Sequence, residues 1–172
     1  MLSKILTFIK SLYDSVIWFE IKNNKKNYRL KENEKFIIIK SKNDRRLKIF
    51  KNYFNEYPSK IKRLSRGYSF LVLSKKHKTK LEILCTGWLY KGNEWIITEI
   101  NKKVILQNVF LLFDFFTPKK LRNRGYYKKI LIKISQKYKN KKLAIYSLYR
   151  NKQSLKAIKN AGFKFKKKIN RI

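Results

Sequence analysis

The sequence predicts a mixed α/β domain: a largely antiparallel sheet with flanking helices and one parallel strand pair. Three observations predict it. At 172 residues, 44% of them hydrophobic, the chain is long enough to bury one sizeable core and short enough to be one domain, residues 1–172. Between Tyr68 and Thr117, β-branched and aromatic runs are separated by turn residues, the pattern of an antiparallel meander. After that, the order is strand, helix, strand, helix, strand, and a strand–helix–strand unit makes a parallel pair with a right-handed crossover.

The elements follow in order. In "MLSKILTFIKSLYDSVIWF", Leu2, Ile5, Ile9, Leu12 and Val16 recur at helical spacing, which predicts an extra amphipathic helix over 1–15. Lys4, Lys10 and Asp14 interrupt it, so it is neither a spanning helix nor a signal sequence. It packs on the domain or lies on an anionic membrane surface. "SVIWFEIKN" and "KFIIIKSK" read as strands. "NDRRLKIFKNYFNEY" reads as a helix with Asn43 or Asp44 as N-cap, stopped by Pro58. "PSKIKRLSRG" is a second helix closing at Gly67. "YSFLVLS", "KLEILCTGWLY", "EWIITEI" and "QNVFLLFDFFT" are strands, with "YKGNE" as a hairpin turn at Gly92-Asn93. A long helix runs from Gly125 to about Tyr138, with Ile130, Leu131, Ile134 and Tyr138 on one face. "KLAIYSLY" is a strand, "NKQSLKAIKNAG" a helix and "FKFKKKI" the last strand.

The formal charge of +35 attracts polyanions: nucleic acid, anionic membrane surface, acidic ligands. Lysine dominates it and is spread along the whole chain, which coding bias in an AT-rich genome also produces. Cys85 and His77 are single, so an intramolecular disulfide is excluded and a Cys/His metal site is not expected. Cys85, in an apolar strand, reads as a core residue. His77, in "SKKHKTK", reads as part of a solvated loop. A reducing, cytoplasmic setting fits this cysteine usage.

"TPKKLRNRGYYKKILIKI", Thr117 to Ile134, carries the chemistry. A strand ends at Thr117 and a helix opens near Gly125. The first amides of that helix lack intrahelical acceptors and face the strand's C-terminal end. Gly125 lets the backbone approach a ligand, and Arg122 and Arg124 supply planar donors suited to phosphate. By chemistry alone this is a phosphate-binding turn or a basic helix start in a basic protein.

The run Arg122 to Tyr127, "RNRGYY", resembles the pyrophosphate loop of GNAT acyltransferases, Q/R-x-x-G-x-G/A. "NKQSLKAIKNAGFKF" resembles that family's second landmark, with Asn151, Ser154, Gly162 and Phe163 at its spacing. "RGYSFLVLSKKHKTKLEILCTGWLY" resembles the family's cofactor-side hairpin. The resemblance covers about residues 35–170. It implies a GNAT fold, whose parallel strands splay apart, and acetyl-CoA or another acyl-CoA as co-substrate, with no metal. Backbone groups of Phe115, Phe116 and Thr117 would pair with the pantetheine arm. Arg122, Asn123, Arg124, Gly125, Tyr126 and Tyr127 would hold the pyrophosphate. Asn151 would reach the pantetheine or thiol end, with Ser154 beside it. Three departures stand out. Tyr127 replaces a small residue. One residue is added between Pro118 and Arg122. Ile158 stands where many members carry the tyrosine that protonates the leaving thiolate.

Asp114 interrupts a strand that should be buried. It is either a structural partner for a lysine or the base that takes the acceptor's proton. Glu99 is the next carboxylate. Tyr146 and Tyr149, at the end of their strand, are candidate proton donors. Trp88 and Trp95 read as core or cleft wall. The resemblance implies a small-molecule amine as acceptor, such as an amino-sugar. Two alternatives stay open: acylation of an RNA-borne amine such as aminoacyl-tRNA, and a non-catalytic GNAT fold that binds CoA or nucleic acid. The residues leave open whether the chain is a monomer or a homodimer.

Overall fold

β-Branched and aromatic runs form the sheet and the amphipathic segments cover it. The structure, a computed structural model, describes residues 15–77 and 80–171. Strands β1 (Ser15–Ile21), β2 (Glu34–Ile39), β3 (Ser69–His77), β4 (Lys80–Tyr90), β7 (Val109–Phe116), β8 (Lys142–Leu148) and β9 (Lys164–Asn170) make a seven-stranded sheet in the order β2-β3-β4-β7-β8-β1-β9. The helices are α1 (Lys51–Glu56), α2 (Pro58–Ser65), α3 (Tyr126–Lys137) and α4 (Lys152–Asn160). Every pairing in this sheet is antiparallel except β7 with β8. The helix expected over 1–15 lies outside the described residues.

Alternation along the strands sorts the core onto two faces. Leu71, Leu73 and Leu112 point to the face covered by α3 and α4, where Ile130, Leu131, Ile134 and Leu155 meet them. Phe70, Val72 and Phe113 point to the other face, against Phe50, Tyr53, Phe54 and Leu64. Asp44 caps the turn of Arg45–Phe50 by accepting from the Arg46 amide at 3.0 Å, and Pro58 sits in the first turn of α2.

β1 lies between β8 and β9 and pairs antiparallel with both. Its residues fall before the span covered by the sequence resemblance, yet Val16, Ile17, Trp18, Phe19 and Ile21 are all buried.

Three local expectations change. "YKGNE" is not a hairpin turn. β5 (Glu94–Ile97) leaves the main sheet and pairs with β6 (Lys102–Ile105), a strand the sequence reading missed. The turn between them has Asn101 at φ 49, and Glu99 lies in that turn rather than in a strand. His77 is not in a loop, because the β3–β4 ladder continues through Lys75↔Glu82, Lys76↔Leu81 and His77↔Lys80. Backbone ladder bonds need no apolar side chains, so a lysine-rich ribbon can extend past the core.

Cys85 is fully buried, and burial pushes its thiol up to about 12, only partly offset by the Thr117 hydroxyl at 3.4 Å. Iodoacetamide at about pH 8 is therefore expected to leave the native thiol unmodified while labelling the unfolded chain, as read by intact mass. Labelling of native protein at the unfolded rate would contradict this packing.

Candidate active site

The parallel ladder between β7 and β8 ends at Leu112↔Ile145. Beyond it β7 stays with β4 and β8 stays with β1, so the two strands part. Between them opens a cleft of about 870 Å³. It is bounded by Phe113–Thr117 on one side, Ile145–Leu148 on the other, and by the first turns of α3 and α4. Ligands in α/β sheets sit at such a divergence, beyond the strands' carboxyl ends.

A β-bulge shapes the β7 wall. Thr86 pairs with Phe116 and Trp88 with Phe113, so three steps on β7 face two on β4. Asp114 takes φ 49 within it, a conformation aspartate tolerates better than most residues. Opposite stands Gly87, where a Cβ would come within 2.3 Å of the Phe115 ring. With that space free, Phe115 lies over Gly87 and packs against Tyr127, ring centroids 5.1 Å apart. This explains why a bulky Tyr127 is accommodated where a small residue was expected. Burial pushes the Tyr127 hydroxyl up, so it remains protonated.

The loop before α3 is an anion cradle. Arg122 donates from Nε to the Thr117 carbonyl at 3.2 Å, tying the loop to the strand end. Asn123 has φ 62 and Gly125 φ 76. The first helical bond runs from the Lys129 amide to the Gly125 carbonyl at 3.0 Å, and among the described residues no side chain caps the helix. The amides of Tyr126, Tyr127 and Lys128 thus lack intrahelical acceptors at the cleft. Lys128, not foreseen, lines the cleft, whereas Arg124 does not.

At α4, Asn151 is the N-cap, and its Oδ1 accepts from the Ser154 amide at 3.1 Å. Its amide nitrogen stays available at the cleft, which Asn151 and Ser154 both line. Ile158 is fully buried among Leu155, Ala161 and Phe163 and does not line the cleft.

The candidate catalytic side chains separate. Asp114 lines the cleft but is held by α2: Arg63 at 2.5 Å and Lys60 at 2.9 Å. Tyr146 lines the cleft, accepts from Trp95 Nε1 at 3.3 Å and donates to Glu99 at 3.4 Å. Burial pushes its hydroxyl up to about 12, so it stays protonated. Glu99 lines the cleft too, and among the described residues no cation pairs with it. Tyr149 lies outside, half-exposed, with Lys152 over its ring at 3.7 Å. Trp88 is fully buried and Trp95 packs behind Tyr146. Among the described residues no group of three or more potential ligands could hold a metal. No described helix is long and apolar enough to cross a membrane.

No protein-family model matches the chain, and no curated protein does. Solved structures do. A GNAT-family acetyltransferase from Colwellia psychrerythraea is 16% identical with a TM-score of 0.55, over 92% of this chain and 54% of that one. A GCN5-related N-acetyltransferase from Sphaerobacter thermophilus is 9% identical with a TM-score of 0.54, over 99% and 55%. A tandem GNAT protein from the clavulanic acid biosynthesis pathway is 7% identical with a TM-score of 0.56, over 92% and 51%. The chain spans about half the length of these three. At such identities the likeness is one of fold, and the fold is GNAT.

Proposed function

We propose that this GNAT-fold chain binds an acyl-CoA, most simply acetyl-CoA, in the β7/β8 cleft and transfers the acyl group to a primary amine, an amino-sugar or other small amine. The observation that carries the reading is the divergence of β7 and β8 directly above an uncapped helix N-terminus. It supports the reading because the end of β7 and the first residues of α3 line one cleft. The amides of Tyr126 to Lys128, with Arg122 and Lys128, suit a pyrophosphate. The edges of Phe115 to Thr117 suit the pantetheine amides, and Asn151 offers a donor further along. The co-substrate supplies a thioester.

At the far end the residues divide the proton work. The acceptor arrives as an ammonium and must lose a proton before its nitrogen can bond to the acyl carbon. Glu99, which pairs with no cation among the described residues, accepts that proton. Asp114, engaged by Lys60 and Arg63, holds α2 to the bulge instead. Tyr146, protonated and beside Glu99, can donate to the departing sulfur as the C–S bond breaks. That role replaces the tyrosine missing at Ile158, and a thiolate leaving group makes it helpful rather than obligatory.

The first test is the melting midpoint with acetyl-CoA at near-physiological salt, with polyphosphate as control. At a hundredfold excess over Kd, stabilisation of ~2.7 kcal/mol corresponds to a rise of roughly 5–10 °C. Equal shifts with polyphosphate would remove the cofactor reading and leave a polyanion binder. A shift without thiol release across an amine panel would mean a binder of acyl-CoA without turnover.

A further inference from the structure

We propose that the sheet edge formed by β9 and the start of α4 is a platform for a single-stranded polynucleotide. This stands apart from acyl-CoA binding. The relevant residues are distant in sequence and meet only in the fold. Among the described residues β9 is the end strand of the sheet, pairing with β1 alone, and Lys164 to Lys168 are all exposed. Phe165 is 59% exposed and Tyr149 50% exposed.

A register shift brings the rings and lysines to one face. Phe165 pairs with Phe19 and Lys168 with Ile17, and Phe19 and Ile17 share the α4 face. Without the extra residue between these pairings, positions three apart would face opposite sides. Lys168 then reaches over the Tyr149 ring at 5.1 Å, and Lys152 from α4 reaches it at 3.7 Å. The result is an exposed strip of two aromatic rings interleaved with Lys152 and Lys168, next to Asn151 at the cleft. Glu20, on the opposite face of β1, accepts from Trp18 and pairs with Lys142, so it does not neutralise the strip.

The chemistry of the strip selects its partner. Lysines on a free sheet edge also discourage strand addition, but that purpose needs no exposed rings, and an exposed phenylalanine works against it. Anionic lipid would take the lysines equally but needs a continuous apolar surface rather than two separate rings. A single strand offers phosphates to the lysines and base faces to the rings, and base–aromatic stacking outweighs an exposed lysine–ring contact. Over the chain as a whole, the +35 charge raises encounter rates and non-specific affinity. The rings are what distinguish this edge from other basic surfaces.

The test is fluorescence anisotropy with labelled oligouridine and oligothymidine of about twenty nucleotides, against polyphosphate and phosphatidylserine vesicles. The double variant Tyr149→Ala/Phe165→Ala is expected to bind either oligonucleotide roughly tenfold or more weakly with an unchanged salt slope. Lys152→Glu/Lys168→Glu should weaken binding and flatten the salt slope more than Lys48→Glu/Lys51→Glu on the opposite face. Circular dichroism and the melting midpoint establish that each variant is folded. Wild-type affinity in the ring variant, equal losses from both lysine pairs, or polyphosphate competing as well as oligonucleotide would each overturn the proposal. So would a ring variant that loses vesicle binding but keeps oligonucleotide binding. Preference for uridine over thymidine strands would support it and point to RNA.

Discussion

Gly125→Asp is expected to abolish acetyl-CoA binding while the domain stays folded. Gly125 sits at φ 76, so any other residue there carries left-handed strain of about 1–2 kcal/mol. Space is not the obstacle, because a Cβ at this position meets nothing within 4 Å. Aspartate also tolerates this conformation, and as an N-cap its carboxylate satisfies the amides at the start of α3, offsetting part of the strain. Those are the amides proposed to hold the pyrophosphate. The substitution therefore fills the anion site with a fixed negative charge. The midpoint of the unliganded protein should move by only a few degrees, and its rise with acetyl-CoA should vanish. Gly125→Ala is the control: it adds strain without charge and should keep a reduced but measurable rise. An Asp variant that binds acetyl-CoA like the wild type would remove this loop from the cofactor site.

How much of this was legible in the sequence depended on the length scale of the signal. The parallel pair and the helices around it were readable because periodicity and caps are local. Ile130, Leu131 and Ile134 announce a buried helix face, and Gly125 and Asn151 mark helix starts. The role of Asp114 was only half legible. A lone carboxylate in an apolar strand demands a partner, but that Lys60 and Arg63 would both supply it depends on how α2 crosses the sheet. The bulge that turns Asp114 toward α2 has no clear signature beyond Gly87 on the neighbouring strand. β6 was missed because four residues with two lysines barely rise above loop composition. The site of β1, between β8 and β9, could not be read at all, since a buried strand's own sequence does not name its neighbours. The Tyr149–Phe165 strip was invisible for the same reason.

Glu99→Gln and Asp114→Asn should separate the two cleft carboxylates. Glu99→Gln keeps size and hydrogen bonding to Tyr146 but cannot take a proton. Turnover should fall about 100-fold or more, with the acetyl-CoA midpoint shift intact. Asp114→Asn preserves the φ 49 conformation, which asparagine also adopts, so the bulge remains. It leaves Lys60 and Arg63 without their carboxylate. Asp114 is itself exposed and the Lys60 and Arg63 side chains are 17% and 28% exposed, so water offsets much of the loss, and a destabilisation of about 0.5–2 kcal/mol is expected with little change in turnover. The pH profile adds an independent reading. Tyr146 titrates only near 12, because burial holds its proton, so it produces no alkaline limb between neutral and mildly basic pH. Tyr146→Phe should lower turnover at every pH. If Asp114→Asn loses turnover while Glu99→Gln retains it in full, the roles given to the two carboxylates are reversed. The ion pairs to α2 would then have to open during the reaction.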